Sequence, residues 1–140
     1  MRFADTNILL YAVSTVPTEE DKARKVQALL ASREIAISVQ CLQEFYVQAT
    51  RSSRAERLTH DEATGFIRAW RRFFTQEITL AVLDDALATK DRFQLSYWDA
   101  AIIAAARACG CTEVLSEDME RWADVWPGAG RESFQVICPP

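Results

Sequence analysis

The sequence contains few of the residues that build a structural zinc site. Its 140 residues include a single histidine, His60, and four cysteines, none of which belongs to a Cys-x-x-Cys pair. A structural zinc ion needs about four thiolate or imidazole ligands at short, matched spacings, so this pattern argues against one. We instead expect buried free thiols in a reducing cytosol. The cysteines are Cys41, Cys109, Cys111 and Cys138.

The sequence also lacks a long apolar run. The longest, residues 100–106, is far shorter than the roughly 20 residues that a membrane span requires. No basic segment followed by an apolar one indicates a secretory signal, so we expect a cytoplasmic protein. Internal repeats, low-complexity segments and interdomain linkers are absent as well. Residues 1–140 are therefore expected to form one domain with its own core.

A positive charge excess is the third feature that is missing. Twenty acidic residues outnumber sixteen basic ones, which gives a net charge of −4. This balance does not favour nucleic-acid binding through bulk charge. It is compatible with acids concentrated at a metal site, because a bound cation reverses the local field. Several arginines are equally consistent with phosphate contacts and with solvated helix faces. They are Arg51, Arg54, Arg57, Arg68, Arg71 and Arg72.

Strand-like and helix-like segments alternate along the whole chain. Short apolar runs predict strands at 2–4, 35–37, 77–80, 113–116 and 133–138. Periodic apolar residues predict helices at 6–13, 19–32, 39–50, 60–74, 82–93 and 97–109. This alternation predicts an α/β fold with right-handed crossovers and a mainly parallel sheet of about five strands, covered on both faces.

Caps and apolar positions refine these helices. We expect N-terminal caps at Ser38, at Ser96 and in a Thr59–Glu62 capping box. The helix at 97–109 is almost wholly apolar and should be buried, with Gly110 following its C-terminus. The helix at 60–74 should bury Phe66, Ile67, Trp70 and Phe73, and the helix at 82–93 should bury Leu83, Ala86 and Leu87.

The opening stretch puts a carboxylate at the end of the first strand. Phe3 and Ala4 end an apolar run, Asp5, Thr6 and Asn7 interrupt it, and helical periodicity follows. In open α/β sheets ligands bind at the carboxyl ends of the strands. Because Thr6 and Asn7 are residue types that cap helices, this segment alone is also consistent with a simple capped turn.

Three further acids fall near the same predicted edge. Glu44 lies in the helix after strand two, Asp99 in the first turn of the apolar helix, and Asp118 just after strand four. Each acid also has a purely structural interpretation. Glu44 is consistent with a solvated acid on a helix, and Asp99 with an acid that stabilises the first turn of its helix. Either Asp118 or the adjacent Glu117 points inward. Asp99 stands out because a carboxylate in so apolar a helix requires a partner.

Clustered carboxylates predict a divalent cation. Like charges within about 4–6 Å oppose one another, and Mg²⁺ or Mn²⁺ relieves this repulsion because both favour carboxylate oxygens and water. Such a site suits phosphodiester hydrolysis by a metal-activated water.

The whole pattern resembles a PIN domain of the VapC type, the ribonuclease toxins of bacterial toxin–antitoxin pairs. The resemblance covers nearly the whole chain and rests on four blocks in the same order. They are Phe-Ala-Asp-Thr-Asn-Ile-Leu at 3–9, Ser-Val-Gln-Cys-Leu-Gln-Glu-Phe at 38–45, Ser-Tyr-Trp-Asp-Ala-Ala-Ile at 96–102 and Leu-Ser-Glu-Asp-Met at 115–119.

The resemblance implies a three-layer α/β/α fold and an Mg²⁺- or Mn²⁺-dependent endoribonuclease that a small antitoxin neutralises. It implies Asp5 and Asp99 as principal metal ligands, Glu44 as the third acid and Asp118 as the fourth. Supporting polar positions fall at Thr6, Asn7 and Ser116, which would hold the acids. The chain departs from the family after the fourth acid, because residues 120–130 form a longer segment with Trp122 and Trp126.

Two other functions fit the sequence less well. A haloacid-dehalogenase-like phosphatase needs a second aspartate two residues after Asp5, where this chain has Asn7. A PIN-like scaffold that binds RNA or protein without cutting is the non-enzymatic alternative. Looped or single-stranded RNA is the expected substrate class, and a homodimer is the default assembly.

Overall fold

A computed structural model of the chain describes residues 1–32, 34–116 and 135–137. The described part contains five strands, six α-helices and a 3-10 turn at Pro17–Glu19; the strands and α-helices define the fold. In chain order they are β1 (Arg2–Ala4), α1 (Thr6–Ala12), α2 (Glu20–Ala31), β2 (Ile35–Ser38), α3 (Val39–Thr50), α4 (His60–Trp70), β3 (Phe74–Gln76), α5 (Leu80–Phe93), α6 (Tyr97–Ala108), β4 (Glu113–Leu115) and β5 (Gln135–Ile137). None of these helices has the length and hydropathy that crossing a bilayer requires.

The strands form one parallel sheet in the order β3-β2-β1-β4-β5. The chain moves from β1 to β2 and β3 on one side, and then returns to β4 and β5 on the other. Right-handed crossovers in opposite directions put their helices on opposite faces of a sheet. The packing agrees, because α1 contacts α2 and α3, α5 contacts α6, and both α3 and α6 contact β2. The predicted α/β fold with a five-stranded parallel sheet is confirmed.

The core is centred on β1 and α6. Phe3 and Ala4 of β1 are fully buried, and every residue of α6 from 100 to 106 is buried. The predicted helix caps are confirmed: Ser38, Thr59 and Ser96 accept hydrogen bonds from the backbone NH groups of Cys41, Glu62 and Asp99. Gly110 follows α6 in the left-handed conformation, with φ of 69°, which an L side chain adopts only with strain. These local signals therefore set the ends of the helices correctly.

The predicted third strand was wrong. Residues 77–80 do not form it; β3 is Phe74–Gln76, and Leu80 is the first residue of α5. The side chain of Thr79 caps α5 by accepting a hydrogen bond from Val82 N at 3.1 Å, which draws Leu80 into the helix. Helix α4 ends at Trp70, earlier than predicted, because Phe73 N turns back to Trp70 O at 3.0 Å. Phe74, which the prediction put in the helix, is instead the first residue of the edge strand.

Two predicted core positions were also wrong. Leu87 is 51% exposed and Phe66 is 39% exposed. On α5 the buried residues are Val82, Ala86 and Thr89. Thr89 replaces Leu87 on the inner face because Arg107 of α6 donates a 2.8 Å hydrogen bond to its hydroxyl, and a satisfied hydroxyl is tolerated in a core.

Candidate active site

Asp5 lies at the carboxyl end of the central strand. It is 2% exposed, its NH donates to Leu115 O of β4 at 3.2 Å, and its carboxylate accepts from Ile8 N at 3.3 Å. Asp5 itself is therefore the cap of α1, rather than Thr6 or Asn7. The strand order of the sheet reverses between β1 and β4, and this reversal is where open α/β sheets bind ligands.

Two serines lie at the same edge of the sheet: Ser38 is the last residue of β2, and Ser116 directly follows β4. Ala4 is paired with Leu115 and Phe3 with Ala36, so continuing either register puts Asp5 level with Ser116 and with Ser38. Both serines are buried. Ser116 was predicted as a supporting residue, and its position beside Asp5 is compatible with that role.

Glu44 is held from two sides. The hydroxyl of Thr6 donates to Glu44 Oε2 at 2.6 Å, and the amide of Gln40 donates to Glu44 Oε1 at 3.0 Å. Thr6 directly follows Asp5 in the chain, so this contact brings the acid of α3 to the end of β1. Glu44 is half-buried and hydrogen-bonded, which does not fit the alternative of a solvated helix acid.

The Cys41 thiol lies close enough to both Asp5 and Glu44 for their charges to affect its pKa. The Cys41 thiol is completely buried beneath the site and accepts a hydrogen bond from Ser38 Oγ at 3.3 Å. Its pKa is raised to about 12, chiefly by burial, and the negative charges of Asp5 and Glu44 contribute to the rise. Both carboxylates therefore act on one buried atom. This thiol stays protonated at neutral pH.

Asp99 lies in the first turn of α6, where its NH donates to Ser96 Oγ at 3.2 Å. The next link toward Glu44 is Gln40, whose amide donates to Trp98 O at 3.1 Å as well as to Glu44. Sequence reasoning missed Gln40. The available signal was its position four residues before Glu44, a spacing that lets two side chains on one helix face interact.

Asn7 lines a different cavity from the one beside Glu44. It is half-buried and lines a cavity of about 260 Å³ together with Tyr11, Arg54 and Glu56. Among the arginines considered for phosphate contact, Arg54 thus lies at this cavity. Arg57 instead donates to the backbone carbonyl of Thr50 at 2.9 Å.

The described acids do not by themselves complete a metal site. Within residues 1–32 and 34–116, no three histidine, cysteine, aspartate or glutamate side chains are grouped to hold one cation. Asp118 and Glu117 lie outside the described residues, so the choice between them stays a prediction. The donor chemistry nevertheless fits Mg²⁺ or Mn²⁺, because Asp5, Glu44 and Asp99 offer only carboxylate oxygens.

Comparison with solved structures shows the same fold in bacterial proteins. A toxin–antitoxin complex from Klebsiella pneumoniae has a TM-score of 0.72 and 20% identity, with 100% of this chain and 98% of that chain covered. VapC20 from Mycobacterium tuberculosis, described as a sarcin–ricin loop cleaving toxin, has a TM-score of 0.66 and 20% identity, covering 89% and 95%. DNA-bound VapBC from Salmonella typhimurium has a TM-score of 0.68 and 11% identity, covering 99% and 98%.

Sequence comparison supplies the family. No curated protein sequence gives a significant match to this chain. The family model of the PIN domain, however, matches residues 2–125, a range that contains all four sequence blocks and every strand except β5. Because this match spans most of the chain and agrees with the fold, the protein belongs to the PIN domain family.

Proposed function

We propose that this protein is an Mg²⁺- or Mn²⁺-dependent endoribonuclease and the toxin of a type II toxin–antitoxin pair. The observation that carries the proposal is the 2.6 Å hydrogen bond from Thr6 to Glu44. It joins the residue after Asp5 to a second acid at the reversal point of a parallel sheet, in a chain of the PIN family. A single acid at a capped turn would not need such a connection.

The chain's own residues have the following roles in this proposal. Asp5 and Asp99 are the principal cation ligands, Glu44 is the third acid, and Asp118 is the fourth. Thr6 holds Glu44, while Asn7 and Ser116 support the site. When bound, the cation supplies Lewis acidity that activates water and neutralises phosphate charge. By donating to both oxygens of Glu44, Thr6 and Gln40 restrict its rotation, which lowers the entropic cost of ordering the site.

The substrate and partners follow from the neighbours. One neighbour is described as a sarcin–ricin loop cleaving toxin, and another is described as a toxin–antitoxin complex. RNA is therefore the proposed substrate and a small antitoxin the proposed inhibitor. A homodimer is the proposed assembly, because a dimer is the default for small soluble proteins, and the cytoplasm is the proposed location. The chain's net charge of −4 favours a site where a cation, rather than a broad basic surface, attracts the phosphate.

The test is cleavage of total cellular RNA by purified protein freed of any partner, with Mg²⁺, Mn²⁺ or EDTA. Asp5→Asn and Asp99→Asn should each lower the rate by more than about 100-fold, beyond the loss of about 10–100-fold typical of residues that orient a metal ligand. Asp61→Asn is the matched control, because Asp61 is exposed in the first turn of α4. Circular dichroism checks that each variant is folded.

The outcomes separate clearly. Discrete fragments that need the cation and vanish in both variants support the nuclease. Equal cutting by wild type and Asp5→Asn would contradict it, because the activity would then come from a contaminant.

A catalytically silent PIN scaffold is the second candidate. The observation that favours it is the lack of any three-acid group within residues 1–32 and 34–116. Mn²⁺ binding by calorimetry together with RNA that stays intact would support the scaffold over the nuclease.

A further inference from the structure

A cavity opens directly beside Glu44, and Thr6 does not line it. It has a volume of about 420 Å³, within the range of about 300–1,000 Å³ common for small-ligand sites. Glu44 itself forms part of the wall, so any occupant lies against one of the proposed catalytic acids. The lining residues are Gln40, Gln43, Glu44, Val47, Gln48 and Trp98.

Trp98 is the largest apolar group in this wall and is 63% exposed. Its helix, α6, is buried from 100 to 106, so the indole is an exception to the burial of its own element. Tyr97 packs edge-on against the indole with ring centroids 5.1 Å apart. Val47, also 63% exposed, adds a second apolar surface to the cavity.

Gln40 fixes Trp98 relative to the acid. One amide nitrogen donates to both Trp98 O at 3.1 Å and Glu44 Oε1 at 3.0 Å, and Gln40 is only 7% exposed. The backbone that carries the aromatic ring and the carboxylate are therefore held at a set spacing. A ring whose backbone is fixed in this way beside the proposed nuclease site is suited to orient the nucleotide being cut.

We propose that Trp98 is a platform on which one unpaired RNA base stacks, next to the bond that is cut. This inference rests on the proposed nuclease function and adds a base-binding subsite to it. Aromatic side chains stack unpaired bases in single-stranded RNA recognition. The amides of Gln43 and Gln48 both donate and accept hydrogen bonds, which matches the polar edges of a base.

An RNA base fits the cavity better than an apolar protein segment does. The wall combines the apolar surfaces of Trp98 and Val47 with the amides of Gln43 and Gln48, beside the hydrogen-bonded pair of Gln40 and Glu44. An apolar segment would cover the amides of Gln43 and Gln48 without offering them hydrogen-bond partners, at a cost in free energy. A base has an apolar face and a hydrogen-bonding edge, and its phosphate extends toward the cation that Glu44 and its neighbours are proposed to hold.

The first experiment measures kcat and KM for Trp98→Ala on an RNA oligonucleotide that wild type cleaves. KM should rise by about 5- to 100-fold, the effect of losing one stacked base, with a smaller change in kcat. Trp98→Phe keeps a stacking ring and should recover most of the loss. Leu87→Ala is the control, because Leu87 is 51% exposed and does not line the cavity.

Abasic substrates identify the stacked base. An abasic nucleotide at the stacked position should reproduce the Trp98→Ala defect in wild type and have no further effect in the variant. Equal KM values for wild type and Trp98→Ala would overturn the proposal. A Trp98→Ala variant with a normal KM but a changed molecular mass by light scattering would also overturn the proposal, and would assign Trp98 to a protein interface.

A binding measurement keeps this test independent of catalysis. In an Asp5→Asn background, which leaves RNA intact, fluorescence anisotropy with a labelled single-stranded RNA of mixed sequence should show binding weakened about 5- to 100-fold by Trp98→Ala. Unchanged binding would overturn the subsite even where wild type cuts nothing. If Trp98→Ala weakens RNA binding but the wild-type protein cleaves no RNA, the result would support the subsite and reject the nuclease.

Discussion

At the scale of single residues, three cysteines have very different surroundings. Cys41 is completely buried, and Cys111 is buried as well, which confirms the prediction of buried free thiols for both. Cys109 is only half-buried, and its sulfur lies 3.4 Å from the sulfur of Cys111. This hydrogen bond lowers the pKa of Cys109 and raises that of Cys111, where burial adds to the rise. Cys138 lies outside the described residues.

Thiol reactivity should follow these pKa values. At pH 8 the pKa of about 12 leaves Cys41 with a thiolate population about 1,000-fold below that of a thiol with the ordinary value of 9.0. Timed iodoacetamide labelling, resolved by mass spectrometry, should therefore modify Cys109 well before Cys41. Labelling in urea should remove the difference. Equal rates in the folded protein would contradict the assigned environments.

At the scale of elements, short side-chain caps fix where helices begin. In α4 the Glu62 carboxylate accepts a hydrogen bond from Thr59 N at 3.0 Å, and Thr59 Oγ1 accepts from Glu62 N at 3.1 Å. The hydrogen bond from Thr59 N lowers the pKa of Glu62 below its ordinary value of 4.5. A lowered carboxyl pKa means that the capped helix favours the ionised form, so the cap's contribution depends on pH.

The pH dependence has a definite sign. The charged cap stabilises the fold fully above pH 4.5, and this contribution is lost as pH falls through the lowered pKa of Glu62. The difference in urea midpoint between wild type and Glu62→Ala should therefore be largest at neutral pH and shrink in acid. Glu62→Gln keeps an acceptor that does not titrate, so it is the control. A difference that grows toward low pH would contradict the cap.

At the scale of the whole molecule, sheet order decides which distant segments meet. Because β1 lies between β2 and β4, Asp5, Ser38 and Ser116 end neighbouring strands although they are far apart in sequence. Helix α6 packs against β2 and β3 with a continuous buried run. The stability of this sheet–helix packing therefore supports the geometry of the candidate site.

A matched pair of truncations tests this packing. Ile103 of α6 is fully buried, whereas Leu87 of α5 is 51% exposed. Ile103→Ala should lower the free energy of unfolding by about 2–5 kcal/mol through lost burial and a residual cavity. Leu87→Ala should change it by less than about 0.5 kcal/mol. Urea denaturation measures both; similar losses in the two variants would contradict the orientation of α5.

Local signals in the sequence were enough for much of the fold. Capping residues at Ser38, Thr59 and Ser96 predicted helix starts because a cap acts only on the next three residues. Apolar runs predicted β1 and the buried helix α6 because burial on all sides leaves no polar face. Asp5 could be placed at a strand end because the change from apolar to polar residues at this position is a local signal.

Other features depended on contacts between elements. Thr89 is buried on α5 while Leu87 is exposed, and the hydroxyl of Thr89 is satisfied by Arg107, eighteen residues further along the chain. The third strand could not be located because Phe74, at 52% exposure, lies on an edge strand with a weak apolar pattern.

The sequence by itself determined most of the elements and the caps at Ser38, Thr59 and Ser96, because each depends on residues close together in the chain. The tertiary structure alone decided which of the candidate acids are connected. Thr6 contacts Glu44 across 38 residues, and Gln40 contacts the carbonyl of Trp98 across 58. Hydrogen bonds over such separations depend on the strand order and helix packing of the whole sheet, which no local pattern encodes.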